Sequence, residues 1–451
     1  MIQEKKIEIA QWLLDPDRGN TETIPYLSFN ILEERLKHEG LWRVFSEVEV
    51  PLHPILEDMH KAGIKLQREK LEEMHKELFS KENILGSAIK KECSHLAPRV
   101  NINSPRQLGE ILFSEPPRGL GITHENTSKT KSGGFSTDNE TLTKIKDAHP
   151  IIPLILEYRE VFKLRSTYLE SFKSLMDETG RIHTTFIQDG AATGRLSSRN
   201  PNMQNIPSGI RSLFVPEKGY FFLSLDYSQI ELRILASVTG DARMIDAFMH
   251  NKDIHVITAA RVFHKDINAI TKEERNFAKI LNFGIIYGMG KDALSRLINV
   301  SRDEAEKMIR DYFNDFAHIK RWQEKLLDKA MQMGYVENEL GRKRWLPGIV
   351  SQNKRVQNEA RRAAVNMPIQ GLGADILKLA MIRVAEILKA KKVWMKTVLP
   401  ILTIHDELLF EVHNDILKEI SGIIKGEMES IYELKVPLKV DVSSADNWGA
   451  L

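Results

Sequence analysis

The sequence predicts an α+β protein, on three observations. Residues from about 44 to 164 and from about 241 to 390 carry apolar side chains at helical spacing. Residues 220–225, YFFLSL, form an unbroken apolar run typical of a central strand. Residues 401–412, ILTIHDELLFEV, read as two buried strands of a hairpin, interrupted by His405, Asp406 and Glu407.

With 451 residues, 42% of them hydrophobic, the chain is long enough for two or three packed substructures of ordinary soluble composition. Its opening, MIQEKKIEIAQWLL, is charged and helical in period, without the apolar core of a signal peptide. No later run approaches about 18 apolar residues. A soluble protein of the cytoplasm, with no membrane partner, is the expectation. A single cysteine, Cys93, excludes an internal disulfide framework and any multi-cysteine zinc site, and is itself read as a bystander. The net charge of +2 and pI near 8.3 do not separate a nucleic-acid binder from a metabolic enzyme, so local clusters carry that argument.

Taken in order, residues 1–43 read as a lead-in ending in a charged helix. The amphipathic stretch that follows reads as a long-helix arm with a basic tip, THENTSKTKSGGFSTDNETL, although an ordinary solvated hairpin fits as well. RIHTTFIQDGAATGRLSSRNPNMQNIP reads as a polar loop, and loops of that length inside domains are often functional. In GYFFLSLDYSQIELRILASV the strand is expected to end at Asp226, with helical spacing from Ser228. In EERNFAKILNFGIIYGMGKD, Arg275, Lys279, Phe283 and Tyr287 recur every four residues, which puts two cations and two aromatics on one helical stripe. A half-buried core stripe with solvated ends has the same pattern. GRKRWLPG and NKRVQNEARRAAVNMPIQG add concentrated positive charge, the footprint of a phosphate-backbone contact or simply a solvated face. No Walker-type loop is present, because GMGKD lacks the glycine spacing and the Ser/Thr after the lysine.

Crowded carboxylates in an apolar hairpin cost several kcal/mol unless compensated, and a hard divalent cation is the usual compensation. Asp226 and Asp406 could reach the same edge of one sheet. Two such carboxylates can bridge two Mg²⁺ ions roughly 3.5–4 Å apart for in-line displacement at phosphorus. The Arg275/Lys279 stripe would then supply the cationic wall for a triphosphate.

DYSQIELR (226–233), RNFAKILNFGIIYG (275–288) and IHDE (404–407), in that order, resemble the three signature motifs of family A DNA polymerases. HPIIPLILEYREVFKLRSTYL, ATGRLSSRNPNMQNIP and AVNMPIQG extend the likeness from about Val44 to the C-terminus. The resemblance implies a right-hand polymerase: palm in three pieces (44–68, 166–227 and 394–451), thumb at 69–165 and fingers at 228–393. Residues 1–43, with IAQWLLDPDRGN, resemble the end of an exonuclease-like domain, and no nuclease activity is expected of this chain.

The resemblance further implies that Asp226 and Asp406 hold two Mg²⁺ ions, for which Mn²⁺ can substitute, with Glu407 in support. Lys279 and Arg275 would grip the triphosphate, Lys279 also protonating the leaving pyrophosphate, and His255 would help. Phe283, Tyr287 and Gln229 would meet the incoming nucleotide. Glu231 would block a ribose 2′-hydroxyl and so favour deoxynucleotides, and Phe283 implies poor use of dideoxynucleotides. Arg195, Gln370 and His405 would contact the minor groove at the primer terminus, with Asn202, Asn205 and Arg362 near the duplex. Donors in that groove meet purine N3 and pyrimidine O2 acceptors common to every Watson–Crick pair, and so test pair geometry without reading sequence. The implied partners are primed DNA and deoxynucleoside triphosphates, bound by a monomer.

Two departures stand out. The loop after Pro207 is short, which leaves Arg211 without a role, and Leu372 and Gly373 in QGLGAD replace residues such as Thr and Ala at an expected turn. Two other readings stay open: a single-subunit RNA polymerase, against which Glu231 argues, and a non-catalytic clamp on primed DNA, which would be expected to have lost these carboxylates and cations.

Overall fold

The computed structural model describes residues 2–17, 28–93, 101–122 and 133–451; the centre of the expected basic tip, 123–132, lies outside them. The chain divides into two compact units: Met1–Ile64 with His183–Ile206 and Pro216–Leu451, and Lys65–Ile182 with Pro207–Val215. No described helix is long and apolar enough to cross a membrane.

The second unit is built on a 25-residue helix, Arg68–Glu92, about 37 Å long at 1.5 Å per residue. Leu85 and Ile89 of this helix pack with Ile151, Ile155 and Tyr158 of the helix Ile151–Phe162 and with Leu108 and Leu112 of Pro105–Phe113. Cys93 is buried in the same core, and burial pushes its thiol up, as suits an inert packing residue. Arg165 fastens the arm, donating from Nε to Glu82 at 2.6 Å.

The first unit centres on a four-stranded antiparallel sheet in the order Val440–Ala445, Tyr220–Tyr227, Glu407–His413, Val398–Ile404. The strand from Tyr220 runs through Asp226 to Tyr227, past the end expected at Asp226, because Val440 and Asp441 continue to pair with it. One face presents Leu223, Leu225, Tyr227, Leu408 and Phe410 to a core that includes Ile420 and Ile424 of the helix Leu417–Ser430 and Leu52 and Ile55 of the helix Val50–Ala62. Pro400 falls on the outer strand, where a missing N–H breaks no inner ladder, and the register shifts beside it.

The expected loop over 181–207 contains a short hairpin, Thr185–Ile187 with Ser197–Arg199. A second hairpin, Tyr335–Glu337 with Lys343–Trp345, breaks the helical stretch of 241–390. All four of these strands are three residues long, too short for a sequence period to register. QGLGAD is not a turn either. It lies inside the 37-residue helix Lys354–Ala390, where Leu372 is buried and a Cβ added at Gly373 would make only ordinary van der Waals contact with Ile234. The short Pro207 loop holds one helical turn, Ser208–Arg211.

A buried charge cluster joins these pieces and corrects the reading of GRKRWLPG as an exposed basic patch. Arg342 donates from Nε to Asp375 at 3.0 Å and from Nη2 to both Asp375 and Glu49. Lys378 Nζ donates to Glu49 at 2.6 Å, and Gln188 Nε2 to the Glu49 carbonyl at 2.6 Å. All four charged side chains are at most 2% exposed. Asn338 donates to Asp375 at 2.7 Å, and the Trp12 ring lies 5.4 Å from the Arg342 guanidinium carbon. Burial pushes Glu49 up, but Lys378 and Arg342 outweigh it and hold the carboxyl below its usual range. The neighbouring cations are also paired, Lys343 with Glu39 and Arg344 with Asp17. Gly194, at φ +81°, lies against the guanidinium so closely that a Cβ would come within 2.8 Å of it.

Glu49→Gln leaves Arg342 and Lys378 with one buried anion between them. It is expected to cost about 3–5 kcal/mol in urea unfolding, against less than about 1 kcal/mol for the partly exposed Arg344→Ala. Equal small losses for both would remove the cluster from its central role.

Candidate active site

The site forms at one end of the sheet. Asp226 pairs in register with Glu407 on one side and Asp441 on the other, which puts three carboxylates in a row on one face. Asp406 sits one residue before Glu407, in the two-residue turn His405–Asp406, and its carbonyl accepts from Tyr227 N at 3.2 Å. His405 holds φ at +55°, a left-handed conformation that a tight hairpin turn demands and that glycine adopts at less cost. Ser224, two residues along the same face, donates to Glu407 at 2.5 Å.

Exposed at the sheet end, Asp226 nonetheless has its pKa pushed up to about 6, by the protein packed around the carboxylate and then by Glu407, Asp406 and Asp441. Burial also raises Asp406, opposed by Arg195 and His405. Among the described residues no three or more His, Cys, Asp or Glu make a ready-formed metal cage. Hard oxygen donors crowded without a matching cation nevertheless suit an ion that takes one or two carboxylates and completes its shell with substrate phosphates, as Mg²⁺ does.

Beside the carboxylates, Glu231 is buried, and burial raises its pKa against the pull of Arg195. Arg195 Nη2 donates to it at 2.5 Å and the Tyr287 hydroxyl at 3.0 Å, with Gln370 hydrogen-bonded to both Glu231 and Tyr287. Gln229, the N-cap residue of the helix Ile230–Thr239, takes φ +54°, and its buried Oε1 has no hydrogen-bond partner among the described residues.

The helix Lys272–Ile286 starts at a capping box of Thr271 and Glu274. Arg275, Lys279 and Phe283 lie along it, and Tyr287 is its C-cap. Arg275 donates to Asp253 at 2.7 Å, and Asp253 also caps the helix Ile254–Val262. Lys279 is exposed and makes no ion pair or hydrogen bond among the described residues. His255 is only 3% exposed, with Nδ1 3.0 Å from Asn282 Nδ2 and its ring 6.0 Å from that of Phe283. Its pKa is lowered to about 4, by burial first and by Arg275 and Lys279 against the opposing Asp253, so it is neutral near pH 7.

Asp226, Asp406, Glu407, His405, Glu231, Arg195, Gln370 and Tyr287 thus form one constellation. Arg275, Lys279, His255 and Phe283 form another, and Tyr287, the C-cap of the helix that carries Arg275, Lys279 and Phe283, links the two through its bond to Glu231. Asn202 and Asn205 lie on an exposed turn tied to the sheet through Gln204, whose Nε2 donates to the Thr403 carbonyl at 3.0 Å. Arg362 is exposed on the long helix, against Gly288. The sequence reading missed Asp441, Ser224 and Asp253. Asp441 was legible as a polar residue in VPLKVDVSSA, but its register opposite Asp226 is set by pairing alone.

The Asp226 shift has a definite sign. Its folded pKa, about 6, exceeds the ordinary 3.8, so this group's contribution to metal-free stability is most favourable below about pH 4 and is lost as pH rises through about 6. Metal-free Asp226→Asn is therefore expected to be more stable than the parent at neutral pH by on the order of 1 kcal/mol, a figure discounted for solvent screening, and equally stable near pH 4. Urea melts at the two pH values measure this, and no difference at neutral pH would show that the carboxylates are not in conflict.

Comparison with known proteins follows the same lines. Residues 68–450 match DNA polymerase family A. DNA polymerase I of Caldicellulosiruptor bescii is 43% identical over 90% of this chain and 47% of its own length. The thermostable DNA polymerase I of Thermus aquaticus is 38% identical over 92% of this chain and 49% of its own. The chain spans about half the length of the curated relatives it matches. Among solved structures, the POL domain of Pol1 from M. smegmatis, in complex with DNA primer-template and dNTP, superposes with a TM-score of 0.89 at 33% identity, covering 98% of this chain and 81% of that one. With the paired carboxylates, the Glu231–Tyr287 link and the cation-bearing helix already in place, these matches make the chain a member of DNA polymerase family A.

Proposed function

We propose that the chain carries out template-directed DNA synthesis, adding deoxynucleoside monophosphates to a primer 3′-hydroxyl and releasing pyrophosphate. The observation that carries this reading is the meeting of Asp226 and Asp406 at one sheet end, next to Arg195 and the Glu231–Tyr287–Gln370 group. The solved relative's complex with primer-template and dNTP supports the same substrates here. The sheet and its flanking pieces (44–68, 166–227 and 394–451) are assigned as palm, 228–393 as fingers and 69–165 as thumb.

Asp226 and Asp406 would hold the divalent ions, magnesium or manganese, with Glu407 oriented by Ser224 beside them. When bound, such ions supply activation of the primer hydroxyl and neutralisation of the departing pyrophosphate. The chain's own groups do the rest. Lys279, without an ion-pair or hydrogen-bond partner among the described residues, is available to the triphosphate and to donate a proton to pyrophosphate. Arg275, oriented by Asp253, adds a second cation, with the neutral His255 beside Phe283. Glu231, pinned by Arg195 and Tyr287, presents a fixed wall towards the sugar. Arg195, Gln370 and His405 would test the minor groove at the primer end, while Asn202, Asn205 and Arg362 contact the duplex and Gln229 the incoming nucleotide.

The test is extension of a labelled primer on a DNA template in Mg²⁺, with deoxynucleotides against ribonucleotides. Deoxynucleotide extension is expected, lost in Asp406→Ala while affinity for primed DNA stays within about threefold, because phosphate contacts elsewhere dominate binding. Retained synthesis in that variant would sink the carboxylate assignment. Lys279→Ala is expected to slow single-turnover addition by roughly 100-fold or more, in line with loss of a general acid. An unchanged rate would return Lys279 to a solvated surface.

A further inference from the structure

The helices Ile254–Val262 and Lys272–Ile286 share one apolar core, to which they give Ile254, Val262, Leu281 and Ile285. Three polar side chains interrupt it. Thr258 is fully buried, Asn282 is 1% exposed and His255 3%. Polar groups in such a place cost stability unless each is hydrogen-bonded, and these three form a chain. The Thr258 hydroxyl lies 3.1 Å from Asn282 Oδ1 and 2.8 Å from the Ile254 carbonyl, and Asn282 Nδ2 faces His255 Nδ1 at 3.0 Å. An amide nitrogen can only donate, so Nδ1 accepts and the single proton of the ring stands on Nε2. Nε2 itself has no hydrogen-bond partner among the described residues and is not sealed from solvent. Burial, and then the charges of Arg275 and Lys279 against that of Asp253, keep the ring neutral near pH 7. A neutral imidazole beside phosphate oxygens, which accept, binds them only from the nitrogen that carries its proton.

We propose that Asn282 is a positioning residue which, held by Thr258, locks His255 in the Nε2–H tautomer, so that the ring offers a fixed donor to a phosphate oxygen of the incoming nucleotide. Asn282 follows Lys279 by three residues on the same helix, so one element sets both the lysine and the imidazole donor. The reverse arrangement, with the Thr258 hydroxyl donating only to the Ile254 carbonyl and Nδ1 donating to Asn282 Oδ1, would turn a bare lone pair towards the phosphates. The inference rests on the reading of the Arg275 and Lys279 face as the triphosphate site, and goes beyond it in assigning Asn282 and Thr258 a part in that site.

Two measurements test it. Nitrogen NMR of the histidine-labelled protein without DNA or nucleotide, with His255→Gln to assign the signal, is expected to show the proton on Nε2 alone; a proton on Nδ1 in the parent overturns the proposal. Asn282→Asp puts an acceptor where the amide donor was, and is expected to bring a proton to Nδ1. A ring unchanged in that folded variant also overturns it. The second measurement is equilibrium binding of dATP with Mg²⁺ in the absence of DNA. Asn282→Leu is expected to weaken it by roughly tenfold in the parent, in line with the loss of a hydrogen bond to a charged group, and by less than about twofold when His255 is already alanine. Equal weakening in both backgrounds would assign Asn282 to stability alone, and no weakening in either would remove it from the site. Should the parent protein extend no primer, the polymerase reading falls, but the ring spectra and the dATP titrations still decide the lock and its effect on the phosphates.

Discussion

The Glu49–Arg342–Asp375–Lys378 cluster is the constraint on which the first unit depends. Two cations and two anions removed from water are tolerable only when each finds its partner with good geometry, so the cluster admits a single arrangement of the segments that bear it. Glu49 precedes the helix Val50–Ala62, Arg342 lies on a short hairpin, and Asp375 and Lys378 are a turn apart on the long helix. Apolar packing tolerates small slips between elements, whereas a misregistered buried charge does not. The long helix is thereby fixed in rotation. Asp375 and Lys378 are given to the cluster, and Gln370, about two turns before Lys378, is offered to Glu231 and Tyr287.

The site is the complementary case, a place where like charges are brought together and left in conflict. Glu407 and Asp441 flank Asp226 across the sheet, and Asp406 adds a further negative charge. The sheet does not relieve this by pairing each carboxylate with a lysine or arginine. Arg195 is committed to Glu231, and Arg275 to Asp253. Unresolved repulsion of this kind stores affinity for a cation, because whatever binds there recovers the energy of the conflict along with its own coordination.

Much of this was legible in the sequence, and for identifiable reasons. The strand at Tyr220, the hairpin around His405 and the helix bearing Arg275 and Lys279 each have a local pattern long enough to carry a period. Carboxylates amid apolar residues were anomalous enough to mark the site. The cluster was not legible, because nothing in GRKRW distinguishes a cation paired inside the protein from one facing water. Glu49 and Lys378 meet across 329 positions of chain, and no local period reports such a pairing. The short hairpins escaped for the opposite reason, having too few residues to show any period.

That same separation has a consequence for the order in which the molecule can be made. A chain emerging from its N-terminus presents Glu49 long before Arg342 or Lys378 exists to neutralise it, and the strand carrying Asp226 long before its two neighbours, Glu407–His413 and Val440–Ala445. Neither the charge nor the strand meets these partners until the last quarter of the chain appears. The helix Arg68–Glu92 and its partners draw their core from nearby sequence and face no such wait. Synthesis therefore meets two regimes within one polypeptide: an arm that can consolidate early on local contacts, and a sheet whose closing waits for distant ones. The carboxylate site, with Asp226 on its strand and Asp406 in the turn beside it, comes into existence only with that late closure.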